Sequence, residues 1–197
     1  MRRHLETLLF AGGLLLTTWP AITMAYGRYW QDRLAREWST PRASPAARHR
    51  PAPAPRKTAR TVRGRNTFAR LRITRIGLDA IVVDDVDATS LRRGPGHLPE
   101  TSLPGESGNC AIAAHRDGWF SRLPELRPGD LVRLETPDCG YEYRVVEKRV
   151  VKPNRTDLLE PRRYPALTLI TCTGPMRPRS LYRLLVFCRL QAVRPEF

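Results

Sequence analysis

Apolar positions divide this chain into three textures. From Thr7 to Gly27 no residue is charged, and Leu8, Leu9, Phe10, Leu14, Leu15, Leu16, Ile22 and Met24 make most of the stretch apolar. A helix needs roughly 20 such residues to cross a hydrocarbon core, so the pattern predicts a transmembrane helix over 7–27. Trp19, Tyr26, Tyr29 and Trp30 are suited to interfacial anchoring, and Pro20 is tolerated in a membrane helix. Thr23-Met24-Ala25 is a poor cleavage site, so the segment reads as an uncleaved signal-anchor and not as a removed signal peptide. From Ser39 to Arg65 the texture changes: Pro41, Pro45, Pro51, Pro53 and Pro55 alternate with Ala and Arg, and Val62 is the sole large aliphatic residue. Such a stretch cannot bury enough apolar surface to fold and reads as a semi-extended spacer.

Beyond Phe68 the apolar runs become short and are punctuated by turns. Leu71 to Ile76, Ala80 to Val83, Cys110 to Ala114, Leu131 to Glu135, Tyr141 to Val151, Leu167 to Cys172 and Leu181 to Leu190 read as strands. Gly94-Pro95-Gly96-His97 and Leu103-Pro104-Gly105-Glu106 read as turns. Helical pieces are expected at Asp87 to Leu91 and at Gly118 to Leu126. Many short strands with few helix-length segments predict a mainly β domain, a sandwich or a small closed barrel. The organisation is a basic tail (1–6), a membrane anchor (7–27), a Pro/Ala/Arg-rich linker (28–66) and one folded domain (67–193).

Charge sharpens this picture. The 197 residues carry a net charge of +15. Residues 1–66 hold 13 Lys/Arg against 3 Asp/Glu, so most of the excess lies outside the folded domain. The arginines are scattered through the Pro/Ala stretch with no nucleic-acid-reading element, which excludes a nucleic-acid partner and suits an anionic membrane surface. The four cysteines, Cys110, Cys139, Cys172 and Cys188, contain no C-x-x-C pair, so neither structural zinc nor a thioredoxin motif is expected. Cys110 and Cys188 sit in apolar runs as small hydrophobes. A Cys110–Cys139 disulfide is conceivable. Asp84, Asp85 and Asp87 lack the spacing of a calcium loop and read as a solvated acidic loop. No metal and no cofactor is expected.

Three groups carry candidate chemistry. Cys172 closes the run Thr168-Leu169-Ile170-Thr171-Cys172 and is followed at once by Thr173-Gly174-Pro175. A strand cysteine is ordinarily inert core, but one at a strand end beside polar residues is accessible, and its thiol needs a neighbouring base or cation. Of the four histidines, His4 precedes the anchor, His49 lies in the linker and His97 in a Gly/Pro turn. His115 alone follows a strand of small residues, in Ala113-Ala114-His115-Arg116-Asp117, and is the candidate acid/base. Arg183 opens the last strand and is the candidate clamp for an oxyanion or substrate. Thiol, imidazole and fixed cation together make a thiol acyl-transfer site.

Thr168-Leu169-Ile170-Thr171-Cys172 resembles the TLxTC signature of the sortase family, membrane-bound cysteine transpeptidases of the bacterial cell surface. His115-Arg116-Asp117 resembles the family's histidine block, and Arg183-Leu184-Leu185-Val186 its arginine-led final strand. Leu71-x-Ile73-x-x-Ile76-Gly77-Leu78, Leu91 to His97 and Pro104-Gly105-Glu106-x-Gly108-Asn109 are similar to further family segments. The class D type is the nearest in kind.

The resemblance implies an eight-stranded sortase-type β-barrel with short helices behind one N-terminal membrane helix. It implies that Cys172 attacks the carbonyl of a C-terminal sorting motif (LPxTG-like) on a surface protein, that a thioacyl-enzyme forms, and that an amine then displaces it. His115 shuttles the protons, Arg183 holds substrate or oxyanion, and Thr171 and Ala114 contact substrate. The implied partners are surface-protein substrates, an amine acceptor in the envelope or on a pilin, and the membrane, with the catalytic domain on its extracytoplasmic side. Ala114 stands where glycine commonly precedes the histidine, and Thr173-Gly174-Pro175 replaces the Tyr-Pro-Phe type of sequence common in class D. Two other readings stay open: a cysteine peptidase that only hydrolyses, and a non-catalytic membrane-tethered wall-binding β-domain. A papain-like enzyme places Cys before His along the chain, and an L,D-transpeptidase carries a Ser-His-Gly-Cys block; neither holds here.

Overall fold

The computed structural model describes residues 2–39, 67–154, 159–173 and 182–195. Eight strands close into a barrel: β1 (Thr67–Ile73), β2 (Leu78–Val83), β3 (Gly96–His97), β4 (Gly108–Ala113), β5 (Leu131–Glu135), β6 (Cys139–Val151), β7 (Pro165–Thr173) and β8 (Tyr182–Pro195). They are hydrogen-bonded in the order β1-β2-β3-β4-β7-β8-β6-β5, with β5 returning to β1. The β4–β7 and β2–β3 pairs are parallel and the others antiparallel. Closure leaves no sheet edge to aggregate.

Side-chain alternation fills the interior. Leu71 and Ile73 on β1, Cys110 and Ile112 on β4, Leu167 and Leu169 on β7, and Val186 and Cys188 on β8 are each at most 2% exposed and form one cluster with Phe120, Leu123 and Leu126. Each such aliphatic side chain contributes on the order of 2 kcal/mol. Tyr143 is fully buried, and its hydroxyl accepts a hydrogen bond from Gly105 N at 3.0 Å, which satisfies the phenol inside the core.

Local chemistry explains the short elements. Helix α2 (Ala88–Arg93) starts at Asp87, whose carboxylate accepts from Thr89 N at 2.7 Å and Ser90 N at 3.1 Å. Asp85 accepts from Val86 N in the same loop. The pair Gly96-His97, expected as a turn, is a two-residue strand bridging β2 and β4. Gly96 permits it: a Cβ there would lie 2.0 Å from Asp85 O. Gly118 to Leu126, expected as a short helix, is a series of turns ending in a 3-10 segment, Leu123–Glu125. Pro124 within that segment lacks the N–H that a longer helix would use. Cys110 and Cys139 are both free thiols, so the disulfide considered from sequence is not formed.

The N-terminal helix, α1, runs from Arg2 to Ser39. Residues 28–39, placed in the linker on composition, are therefore helical, and the reason is tertiary. Gln31 Nε2 donates to Ile81 O at 3.0 Å and to Arg93 O at 2.8 Å, and Gln31 Oε1 accepts from Ile81 N at 2.7 Å. Leu34 packs on Ile81 and Val83, with Ala35 and Trp38 alongside. Trp30, expected to face a membrane interface, carries the Arg93 guanidinium 4.2 Å from its ring centre. Among the described residues no helix is long and apolar enough to cross a membrane. The linker from residue 40 to 66 and the segment Gly174-Pro175 lie outside the described residues.

Candidate functional site

Strand parity builds the site. Leu167 and Leu169 point into the barrel, so Thr168, Ile170 and Cys172 point outward. On β8, Leu184, Val186 and Cys188 are in the core, so Arg183 points outward. Cys172 pairs with Arg183 directly across the antiparallel β7–β8 ladder. Side chains so paired stand about 5 Å apart at Cβ. On the other flank Ala113 pairs with Ile170, and Ala114 N donates to Ile170 O at 3.1 Å. β4 ends at Ala113, and His115 follows two residues beyond it. Cys172 and Arg183 therefore form one outward rung, and His115 lies just past the end of the neighbouring strand β4. Cys172 and Arg183 are half-buried and His115 is exposed.

Thr171 and Ala114, expected to contact substrate, are placed differently. Thr171 is 3% and Ala114 5% exposed, both on the inward side. The Thr171 hydroxyl donates to Ala114 O at 2.9 Å, tying β7 to β4 immediately before the histidine. The contact is buried and links the two strands. The chain then turns: the His115 carbonyl accepts from Gly118 N at 3.3 Å and Phe120 N at 3.2 Å. Phe120 is fully buried, which anchors the turn in the core.

Two features escaped the sequence reading. A hollow of about 430 Å³ opens beside Arg183, lined by Val150, Val151, Lys152, Asn154 and Tyr182. Only the register of β6 against β8, which sets Val151 opposite Arg183, reveals it. The second is His97, taken as a turn residue. It is 2% exposed and stacks on Phe68 with ring centres 4.0 Å apart and 5° between planes. Its Nδ1 lies 3.4 Å from Asp84 Oδ1, and its Nε2 lies 3.2 Å from Thr101 Oγ1. Burial holds its pKa below the ordinary histidine value, partly offset by Asp84. Phe68 and His97 were legible individually, but not as a stacked pair.

The remaining cysteines contrast with Cys172. Burial pushes the thiols of Cys110 and Cys188 far above the ordinary cysteine pKa, so both are unreactive at neutral pH. Among the described residues no group of three or more His, Cys, Asp or Glu could hold a metal ion.

Residues 71–191 match the family model described as "Sortase domain". The chain belongs to the sortase family. Sortase D of Bacillus subtilis (strain 168) is 32% identical over 89 residues, 45% of each chain. Sortase A of Bacillus anthracis is 28% identical over 114 residues, 56% of this chain and 54% of that one. The chain thus matches about half the length of these curated relatives. Among solved structures, the Clostridium perfringens Sortase D5 transpeptidase superposes with a TM-score of 0.59 at 29% identity, covering 64% of this chain and 79% of that one. Sortase E from Streptomyces avermitilis does so with a TM-score of 0.60 at 28% identity, over 66% and 91%. The sortase D relatives agree with the class D likeness seen in the motifs, and the eight-stranded barrel is the sortase fold.

Proposed function

We propose that this sortase is a cysteine transpeptidase that cuts a C-terminal, LPxTG-like sorting motif of surface proteins and passes the acyl part to an amine. The observation that carries this reading is the outward pair of thiol and guanidinium, Cys172 opposite Arg183, next to the strand that His115 follows. Cys172 as thiolate adds to the scissile carbonyl carbon. Arg183, directly across the ladder, supplies a permanent cation for the oxygen that becomes negative. As the C–N bond breaks, His115 gives its proton to the departing amine and leaves a thioester on Cys172. The acceptor amine adds to that thioester, His115 takes up its proton, and the thiolate is expelled. The hollow beside Arg183 is a seat for substrate side chains.

The uncharged stretch Thr7 to Gly27 supports a membrane anchor, and the sortase likeness supports a barrel on the extracytoplasmic side. Membrane fractionation with alkaline extraction tests it: the chain stays with the lipid if anchored and is released if not.

Mass spectrometry of the full chain with a library of LPxTG-like peptides and an amine tests the chemistry. An adduct on Cys172 and amine-dependent ligation, both absent in Cys172→Ala, support transpeptidation. Cleavage that ignores the amine indicates a hydrolase. Neither adduct nor cleavage with any peptide overturns an LPxTG-like substrate.

A further inference from the structure

We propose that the docked part of α1 is a positioning element for His115, acting through Trp119. The inference rests on the reading of His115 and Cys172 as a reacting pair. Its first support is how firmly α1 is held. The Gln31 amide occupies both the N–H and the carbonyl of Ile81 and also the carbonyl of Arg93, so one side chain fastens the helix to β2 and to the end of α2. Leu34, 2% exposed, seals the contact on Ile81 and Val83.

The second support is where the docked helix leads. Gly27, one helical turn before Gln31, is buried. A Cβ built on it would lie 3.6 Å from Trp119 Cζ2 and 3.6 Å from Arg92 O. The indole edge thus lies against the Gly27 backbone beside α2, where a methyl group would make ordinary contact. Trp119 belongs to the turn that the His115 carbonyl closes through Gly118 N and Phe120 N. Phe120 fixes the inner side of that turn in the core, and Trp119, partly buried against the same core, fixes the side facing α1. The imidazole itself is exposed, so its placement depends on the backbone that carries it. A shift of about 1 Å in a reacting group is enough to lower a rate by up to roughly 100-fold, so a brace of this kind matters to the reaction more than to folding.

The test reads Cys172 directly and needs no knowledge of the peptide substrate. The rate at which iodoacetamide alkylates Cys172 is followed by peptide mapping on the full chain, with melting temperature recorded in parallel. Gly27→Leu, which crowds the indole, and Gln31→Leu, which unfastens the helix without touching Trp119, are each expected to slow Cys172 alkylation about fivefold. Gly27→Ala, whose methyl fits, is expected to keep the parent rate. In a His115→Ala background, neither leucine variant is expected to slow alkylation further, because the effect runs through the imidazole. Slowing that persists without His115 overturns the proposal and makes the docking merely structural. Unchanged rates in both leucine variants, beside a slow His115→Ala, overturn the brace while leaving the pair intact. An unchanged rate in His115→Ala itself removes the pair, and the brace falls with it.

Discussion

Cys172 and Cys188 stand on paired strands of one ladder, yet they occupy different chemical worlds. Leu167 sits between Cys110 on β4 and Cys188 on β8 in register, and this rung faces the barrel interior. Five residues further along β7, an odd number, the rung that contains Cys172 faces outward, with Arg183 opposite it. The inner thiols are sealed among aliphatic groups that cannot solvate a thiolate, and their pKa values rise accordingly. The outer thiol is half-buried, with a cation across the ladder. Parity along a strand, and not residue type, separates the sealed cysteines from the outward one here.

The strongest break of this comparison is Cys172→Ala. Ligation and cleavage of any accepted peptide should fall at least ~1,000-fold, as when a nucleophile is removed, with little change in melting. Cys188→Ala should do the reverse, keeping activity while costing about 1–2 kcal/mol through the lost packing, read by denaturant unfolding. Next in size is selectivity of alkylation. Under native conditions Cys172 should react at least about 100-fold faster than Cys110 or Cys188, and the difference should vanish in denaturant. Comparable native rates would show that the inner rung is not sealed.

A smaller effect sharpens the role of the contact under the site. Thr171→Val keeps the shape but leaves the buried Ala114 carbonyl without its donor. It should cost about 1–2 kcal/mol of stability and lower turnover roughly tenfold, with KM nearly unchanged. An equal loss in KM would mean that Thr171 touches substrate after all. The smallest expected effect concerns the other histidine of the domain. Because burial lowers the pKa of His97 in the folded state, the unfolded chain binds its proton first as pH falls. This contribution to stability is complete above the unfolded value of about 6.5, and is lost as pH drops from there toward the folded value, at up to about 1.4 kcal/mol per pH unit. Melting temperature should fall over that window in the parent and less in His97→Gln.

Much of the barrel was legible because its strands alternate cleanly. β5 spans Leu131–Glu135 as read, β7 extends the expected run by two residues at its start and one at its end, and β8 runs five residues past Leu190. Cys172 and Arg183 were legible as strand-end residues, whereas their pairing across the ladder was not. What local pattern could not carry was set by distant contacts. Gly94-Pro95-Gly96-His97 has turn composition, yet Asp85 O on one side and Ala113 on the other draw Gly96-His97 into the sheet. Arg28 to Trp38 has no apolar period strong enough to announce a packed face, because a glutamine amide does much of the fastening. Thr171 and Ala114 were singled out beside the cysteine and the histidine, and only the fold revealed that both face inward.

The docking of α1 also alters what the proline-rich stretch does. Its two flanks, Trp38 on the β2 side and Thr67 on β1, are held on the same barrel. The spacing between α1 and the barrel is therefore set by the Gln31 and Leu34 contacts. If Thr7 to Gly27 is embedded as proposed, the last of those residues is already against the indole of Trp119, and Gln31 is only about 6 Å further along the helix axis. The barrel would then ride close above the lipid on a stiff mast, working where newly exported chains leave the bilayer and not deep in the surrounding polymer.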